Sequence, residues 1–150
     1  KRLYRTLKDR APAERHRTPI GPASIVREGA DVTVVTYGSG VVTALEAAEL
    51  VSGSVEVVDL RTVWPLDEAA ILASVAKTSR ALVLQEACRS SGAASLVLSL
   101  LAREGFELLD APPGLHAPPD TPVPFAPELE DAFLPSTTST AGALEELLAY

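Results

Sequence analysis

The chain has 150 residues, of which 47% are hydrophobic and 22% are charged. This composition is typical of one globular domain with a substantial core, and no apolar run reaches the roughly 20 residues that a membrane span requires. The formal net charge is −7, and an acidic surface repels the phosphate backbone of nucleic acids while it favours a basic protein partner. We therefore expect a protein that contacts neither membranes nor nucleic acid.

The charge is uneven along the chain. Residues 1–17 contain seven Lys or Arg and two acidic residues, whereas residues 18–150 contain six and eighteen. Residues 1–22 start without Met or an apolar signal core, so we expect a basic linker from a missing amino-terminal domain, followed by one domain at residues 23–150. Cys88 is the only cysteine, which excludes an intrachain disulfide and indicates a reducing, cytoplasmic location.

Three strand-then-helix units follow the linker and predict a mostly parallel sheet. Parallel strands that are joined by helices form open sheets with right-handed crossovers. We expect an α/β fold in three layers, with helices on both faces of the sheet. The predicted strands are residues 32–37, 55–60, 81–85 and 106–109, and the predicted helices are residues 41–50, 66–75 and 92–103.

The strand-and-helix pattern ends after residue 109. Eight of the twelve prolines lie within residues 112–135. They predict an extended, stiff loop, because proline lacks an amide hydrogen and fixes φ. A last helix is predicted at residues 140–150, with Thr138, Ser139 or Thr140 as its cap.

Polar side chains follow the second predicted strand, where Asp59, Arg61, Thr62 and Trp64 precede the next helix. In open α/β sheets, ligands and partners dock at the carboxyl ends of the strands, so these residues are candidates for function. Asp59 and Thr62 are equally suited to accepting hydrogen bonds from loop amides. Arg61 and Trp64 are candidate interface residues, and the alternative for Trp64 is packing as a lid over the sheet.

Glu86 follows the third predicted strand and is a candidate general base if it is partly buried. The alternative is a structural carboxylate that caps the next segment or pairs with Arg61 or Arg89. The turn Gly38-Ser39-Gly40 suits a phosphate-binding loop, but Thr43 replaces the third glycine of the dinucleotide fingerprint, which favours a plain strand-to-helix turn. A free-standing ligand-binding module, with Gly38 and Glu86 in its pocket, remains an alternative function.

Three further polar residues lie in the last third of the chain. His116 and Asp120 provide too few ligands for a metal site. Asp110 directly follows the fourth predicted strand, which would place it at the carboxyl edge of the sheet as a cap, a turn residue or a partner contact. We assign no catalytic residue and no metal ligand to this chain.

Short motifs are distributed in a fixed order along the chain. They are Asp59-Leu-Arg-Thr62, Pro65-Leu-Asp67, Gln85-Glu-Ala87, Leu109-Asp-Ala-Pro112, Asp120-Thr-Pro-Val-Pro124 and Leu129-Glu130. In this order they resemble the carboxyl-terminal, transketolase-like domain of the beta subunit of 2-oxo acid dehydrogenases. That family comprises the thiamine diphosphate-dependent first components of the pyruvate and branched-chain complexes.

The resemblance implies a holoenzyme that decarboxylates a 2-oxo acid on thiamine diphosphate and Mg²⁺ and passes the acyl group to lipoamide, with the cofactor outside this chain. It implies that the domain assembles an alpha2beta2 tetramer with the alpha subunit and a second beta subunit. It also implies docking of the basic peripheral subunit-binding domain of the acyltransferase on Asp110 and on the carboxyl terminus at Tyr150. An acidic body meeting a basic module agrees with this role.

Some positions depart from the family pattern. Leu115-His116 stands where the family usually has Arg-Val, and Leu96 stands where it usually has Glu. The matching domain of a transketolase or a deoxyxylulose phosphate synthase is the alternative assignment, because both resemble the first half of the chain. Leu109-Asp-Ala-Pro112 and Asp120-Thr-Pro-Val-Pro124 favour the beta subunit.

Overall fold

The computed structural model describes Leu3, Lys8, Arg10 and residues 13–150. Its strands are β1 (Ser24–Arg27), β2 (Val32–Thr36), β3 (Val55–Asp59), β4 (Ala81–Leu84) and β5 (Gly114–His116). They form one sheet in the order β1-β3-β2-β4-β5. β1 pairs antiparallel with β3, and the other three pairs are parallel, which confirms the prediction of a mostly parallel sheet.

Among residues 13–150, five α-helices and one 3-10 helix accompany the sheet. They are α1 (Ser39–Ala48), α2 (Glu68–Thr78), α3 (Ala94–Arg103), the 3-10 helix Phe106–Leu108, α4 (Pro127–Phe133) and α5 (Thr137–Leu148). In the part of the chain that the structure describes, no helix is long and apolar enough to cross a membrane.

Apolar clusters on both faces of the sheet hold the helices in place. α1 and α5 cover one face through a cluster that includes Val34 and Leu144. α2 and α3 cover the other face through a cluster that includes Val35, Ile71 and Leu101. Neighbouring residues of one strand point to opposite faces, so near-continuous β-branched runs are buried on both sides. The predicted three-layer α/β fold is confirmed.

The predicted strand at residues 106–109 is wrong. Phe106–Leu108 form the 3-10 helix, directly after the last turn of α3, where the amide of Gly105 donates to the carbonyl of Leu101 at 3.1 Å. The four residues Phe106-Glu-Leu-Leu109 fit a helical turn as well as a strand, so their pattern does not separate the two.

The region predicted to be one extended loop contains both β5 and α4. β5 has three residues, all partly exposed, and Pro127 begins α4 at a position where its missing amide hydrogen costs nothing. The sequence also gave no signal for β1, a four-residue strand at the edge of the sheet. Elements this short carry too few residues for a hydrophobic period to be recognised.

Side-chain caps set the start of two helices. Asp67 accepts a hydrogen bond from the amide of Ala70 at 3.1 Å, so α2 begins two residues later than predicted. Ser136 and Ser139 form a capping box at the start of α5. The residues that were predicted to cap this helix therefore lie inside its first turns.

Candidate functional site

The loop after β3 uses its polar side chains to hold its own backbone. Asp59 accepts a hydrogen bond from the amide of Arg61 at 3.0 Å, and Oγ1 of Thr62 accepts one from the amide of Gly21 at 3.0 Å. Arg61 has a φ of 53°, which is uncommon for a residue other than glycine. The interpretation of Asp59 and Thr62 as acceptors for loop amides is therefore confirmed.

Trp64 is an exposed side chain in the same loop. It is 77% exposed, and nearby Ile20 and Val63 are 81% and 39% exposed. The lid interpretation is wrong, because an indole that covered the sheet would itself be covered. The role of Trp64 and of the exposed Arg61 in an interface stays a prediction.

Glu86 is exposed at the carboxyl end of β4. The candidate general base depended on partial burial, which the structure does not give it. Among the described residues, no ion pair joins Glu86 to Arg61 or Arg89. The interpretations of Glu86 as a general base and as the partner of Arg61 or Arg89 are therefore wrong, and Glu86 remains a candidate for contact with a partner.

Gln85, which sequence reasoning did not single out, organises the loop after β4. Its side chain is 1% exposed. Nε2 donates to the carbonyls of Ala87, Cys88 and Ser91 at 3.1, 3.1 and 2.7 Å, and Oε1 accepts from the amide of Ala94 at 2.9 Å. A single polar residue at the end of a fully apolar strand was the available signal.

A cavity of about 320 Å³ lies outside the carboxyl ends of β2 and β4, where the strand order reverses. Its wall includes Ser39, Gly40, Glu46, Glu86 and Thr137. Oγ of Ser39 is buried without a hydrogen-bond partner in the described part of the chain, and Thr137 donates to Glu46 at 2.7 Å.

The charges around this cavity do not suit a diphosphate group. The described wall contains two carboxylates and no Lys, Arg or His. Leu3 and residues 13–150, with Lys8 and Arg10, contain no group of three or more His, Cys, Asp or Glu side chains arranged to hold a metal ion. These residues therefore do not fit thiamine diphosphate with its Mg²⁺.

His116 and Asp120 bind different segments. Nε2 of His116 lies 3.0 Å from Oγ of Ser139 in the first turn of α5, and burial lowers the pKa of His116, an effect that Glu146 partly offsets. Asp120 accepts a hydrogen bond from the amide of Ser90 at 2.8 Å, and this bond lowers the pKa of Asp120. His116 therefore contacts α5 and Asp120 holds the loop after β4, so the two do not form one common site.

Asp110 lies at the amino edge of the parallel strands. Its amide donates to the carbonyl of Ser79, two residues before β4, at 2.8 Å, and its side chain is exposed. The prediction that placed it at the carboxyl edge is wrong, because residues 106–109 do not form the strand on which that placement depended.

Tyr150 lies at the same amino edge as Asp110. α5 runs antiparallel to the parallel strands, so that Leu147 ends beside Gly114, the first residue of β5. Tyr150 follows and is 72% exposed. The structure thus brings Asp110 and Tyr150 to one edge and places Arg61, Trp64 and Glu86 at the opposite edge.

A charge cluster around the buried Glu56 lies at the amino edge beside β3, and sequence reasoning did not find it. Glu56 is 0% exposed and pairs with Nζ of Lys77, and it also accepts from the amide of Gly29 at 3.3 Å. Lys77 also bonds Glu28 at 2.8 Å, which lowers the pKa of Glu28 and raises that of Lys77. The acidic residue within an otherwise apolar strand was the signal for this cluster.

Comparison with known proteins gives a family match over most of the chain. The model of the family described as "Transketolase, C-terminal domain" matches residues 21–139. The acetoin:2,6-dichlorophenolindophenol oxidoreductase subunit beta of Bacillus subtilis is 43% identical over 95% of this chain, which covers 42% of that protein.

Two further relatives are named beta subunits. The pyruvate dehydrogenase E1 component subunit beta of Staphylococcus aureus is 39% identical over 99% of this chain, with 46% of that protein covered. The 2-oxoisovalerate dehydrogenase subunit beta of Bacillus subtilis is 40% identical over 100% of this chain, with 47% covered. The chain therefore spans less than half the length of these relatives.

Two solved structures share the fold. A split-gene transketolase, described as an inactive beta4 tetramer, gives a TM-score of 0.78 at 24% identity over 89% of this chain and 44% of its own. A 2-oxoglutarate:ferredoxin oxidoreductase from Magnetococcus marinus gives 0.54 at 15% identity over 85% of this chain and 19% of its own. At these identities the likeness shows the fold alone.

Proposed function

Because the chain belongs to the transketolase C-terminal domain family, we propose that it is the assembly and docking domain of the beta subunit of a 2-oxo acid dehydrogenase complex. The observation that carries this proposal is the sequence identity of 39–43% to three proteins that are all named beta subunits. Their names differ in substrate, so the subunit type is the feature that they share. The complete enzyme would oxidatively decarboxylate its 2-oxo acid and transfer the acyl group to lipoamide in the cytoplasm.

The cofactor of that enzyme would lie outside this chain. Thiamine diphosphate and Mg²⁺ supply the decarboxylation chemistry in the proposed holoenzyme, and they need basic or amide donors for the diphosphate and oxygen ligands for the ion. The described wall of the cavity at the carboxyl edge has no basic side chain for the diphosphate, and the carboxylates of Glu46 and Glu86 would repel it. This charge supports a role in assembly and docking, with no catalytic residue in this domain.

The two edges of the sheet would meet different partners. At the carboxyl edge, the exposed Arg61, Trp64 and Glu86 are proposed contacts with the alpha subunit or the second beta subunit. At the amino edge, Asp110 and the terminal carboxylate of Tyr150 are proposed contacts with the basic peripheral subunit-binding domain of the acyltransferase. Opposite charges at such a surface orient the partner and speed its association.

Calorimetric titration of the assembled protein with its peripheral subunit-binding domain tests the docking role. We expect Asp110→Asn to raise Kd about 30-fold, or about 2 kcal/mol, because the partner's basic group loses its counter-charge in the complex. An extension past Tyr150 should also weaken binding. Glu68→Gln removes one exposed charge in the first turn of α2, at the opposite edge, and should leave Kd unchanged.

Two results would contradict the proposal. If the unmodified, fully assembled protein did not bind the domain, the docking role would be wrong. If Asp110→Asn and Glu68→Gln weakened binding equally, the effect would come from net charge rather than from a surface at the amino edge.

A further inference from the structure

The amino edge carries a groove of about 560 Å³ beside Asp110. The 3-10 helix forms one side, and the turn that leads to β5 forms the other. Its wall is mainly apolar, and both of its charged lining residues are acidic. The lining residues are Phe106, Glu107, Leu109, Asp110, Ala111, Pro112 and Pro113.

Phe106 is the aromatic side chain of this groove, and it is 74% exposed. The amide of Leu109 donates to the carbonyl of Phe106 at 3.3 Å, so the 3-10 helix fixes the backbone that presents the ring. The two prolines on the far side limit the motion of the other wall. A large ring on a backbone that is already fixed loses only side-chain entropy when a partner covers it, and exposed aromatic residues of this kind are typical interface anchors.

The charge of the groove selects the partner. Glu107 and Asp110 are both exposed, and no Lys, Arg or His is among the lining residues. A basic surface is therefore complementary to the groove, whereas an acidic or phosphate-rich surface is repelled.

We propose that Phe106 is the apolar anchor of the docking surface, where it packs against an apolar side chain that the basic partner presents next to the group held by Asp110. This inference rests on the proposed function, because the partner is the same basic peripheral subunit-binding domain. It adds to the charged contacts an apolar, specificity-determining contact made by Phe106. The charges orient the partner, and Phe106 holds it.

The test is calorimetric titration of the assembled protein with that domain at two salt concentrations, for the unmodified protein, Phe106→Ala and Asp110→Asn. We expect Phe106→Ala to raise Kd about 30-fold, as loss of an aromatic anchor does. Its salt dependence should equal that of the unmodified protein, because no charge is removed. Asp110→Asn should weaken binding and reduce the salt dependence as well.

The matched control is Phe125→Ala. Phe125 is fully exposed, and it lies in the loop that Asp120 fixes to Ser90 at the opposite edge. This change should leave Kd unaltered. Because Phe106 is largely exposed, Phe106→Ala should also leave the unfolding temperature and the subunit composition of the protein unchanged.

The outcomes separate the inference from the function on which it rests. No binding by the unmodified protein would overturn both. Binding that depends on Asp110 but not on Phe106 would overturn the anchor alone. A reduced salt dependence in Phe106→Ala would show that the partner meets the ring with a charged group, and a changed subunit composition would assign Phe106 to assembly; either result also overturns the anchor.

Discussion

The two edges of the sheet use their polar side chains in different ways. At the carboxyl edge, Asp59, Thr62 and Gln85 bond to amides and carbonyls of neighbouring loops. At the amino edge beside β4 and β5, Asp110 and Tyr150 are exposed. These three side chains of the carboxyl edge hold loops in place, whereas Asp110 and Tyr150 at the amino edge are presented to solvent.

This difference limits a general rule about α/β folds. Ligands usually bind at the carboxyl ends of the strands, so polar residues there are natural candidates for function. In this domain, two of those candidates, Asp59 and Thr62, accept hydrogen bonds from backbone amides of neighbouring loop residues instead. A polar residue at a strand end is therefore informative only after its own hydrogen bonds have been found.

The largest expected effect comes from breaking the hydrogen bonds of the Gln85 side chain at the carboxyl edge. Gln85→Leu removes four hydrogen bonds within the chain and leaves three carbonyls and the amide of Ala94 without that partner. We expect a loss of about 3 kcal/mol in the free energy of unfolding, because several buried polar groups become unsatisfied together. Urea unfolding of the two proteins measures the difference.

The neighbouring residue provides the control for this prediction. Glu86→Leu changes an exposed side chain by a similar volume and should alter stability by less than about 0.5 kcal/mol. A loss below about 1 kcal/mol in Gln85→Leu would contradict the prediction, since it would mean that water reaches these carbonyls. The hydrogen bonds of Gln85 would then stabilise the carboxyl edge less than their geometry indicates.

A smaller effect is expected from the cap that joins two segments at the same edge. Asp67 accepts from the amide of Ala70 and also from the amide of Ala23 at 2.8 Å, just before β1. Asp67→Ala should cost about 1 kcal/mol in urea unfolding, the usual value for loss of an N-cap. Glu68→Ala removes only a charge in the first turn and should cost a few tenths of a kcal/mol. Equal losses in both variants would show that the helix dipole, not the cap, is what matters.

Long buried strands explain why the layers of the fold were predictable. In β3, Val55, Val57 and Val58 are all 0% exposed, so packing on both faces required an apolar run that the sequence displays directly. β1 and β5 are the outermost strands of the sheet, and they have only four and three residues. Their pairing depends on neighbouring strands far away in the sequence, which local pattern does not encode.

For the proposed docking edge, the sequence analysis named Asp110 and Tyr150 but placed Asp110 at the wrong edge. Asp110 was identified through a motif, and its placement failed because the preceding residues form a 3-10 helix rather than a strand. Phe106 was assigned to that strand, although it is 74% exposed. Exposure of a single aromatic residue is a property of the tertiary structure, since the same residue in the same local pattern is more often buried.

The smallest expected effect is a pH dependence at the carboxyl end of β5, where His116 lies against Ser139. Burial lowers the pKa of His116 in the folded state, and Glu146 opposes this shift only in part. As the pH falls through the unfolded value of 6.5, the unfolded chain takes up the proton more readily than the folded one. Stability should therefore be complete above that pH, fall below it and level off under the folded pKa.

Substitution of each of the two histidines in turn tests this prediction. The loss of stability between pH 7.5 and pH 5.5, measured by urea unfolding, should be smaller in His116→Gln than in the unmodified chain. His16 is exposed and lies 3.3 Å from Thr18, outside the sheet, so His16→Gln should keep the full pH dependence. If both variants kept it, protonation of His116 would not oppose the start of α5. His116 would then have the same pKa in the folded and the unfolded chain, and the pH dependence would come from other groups.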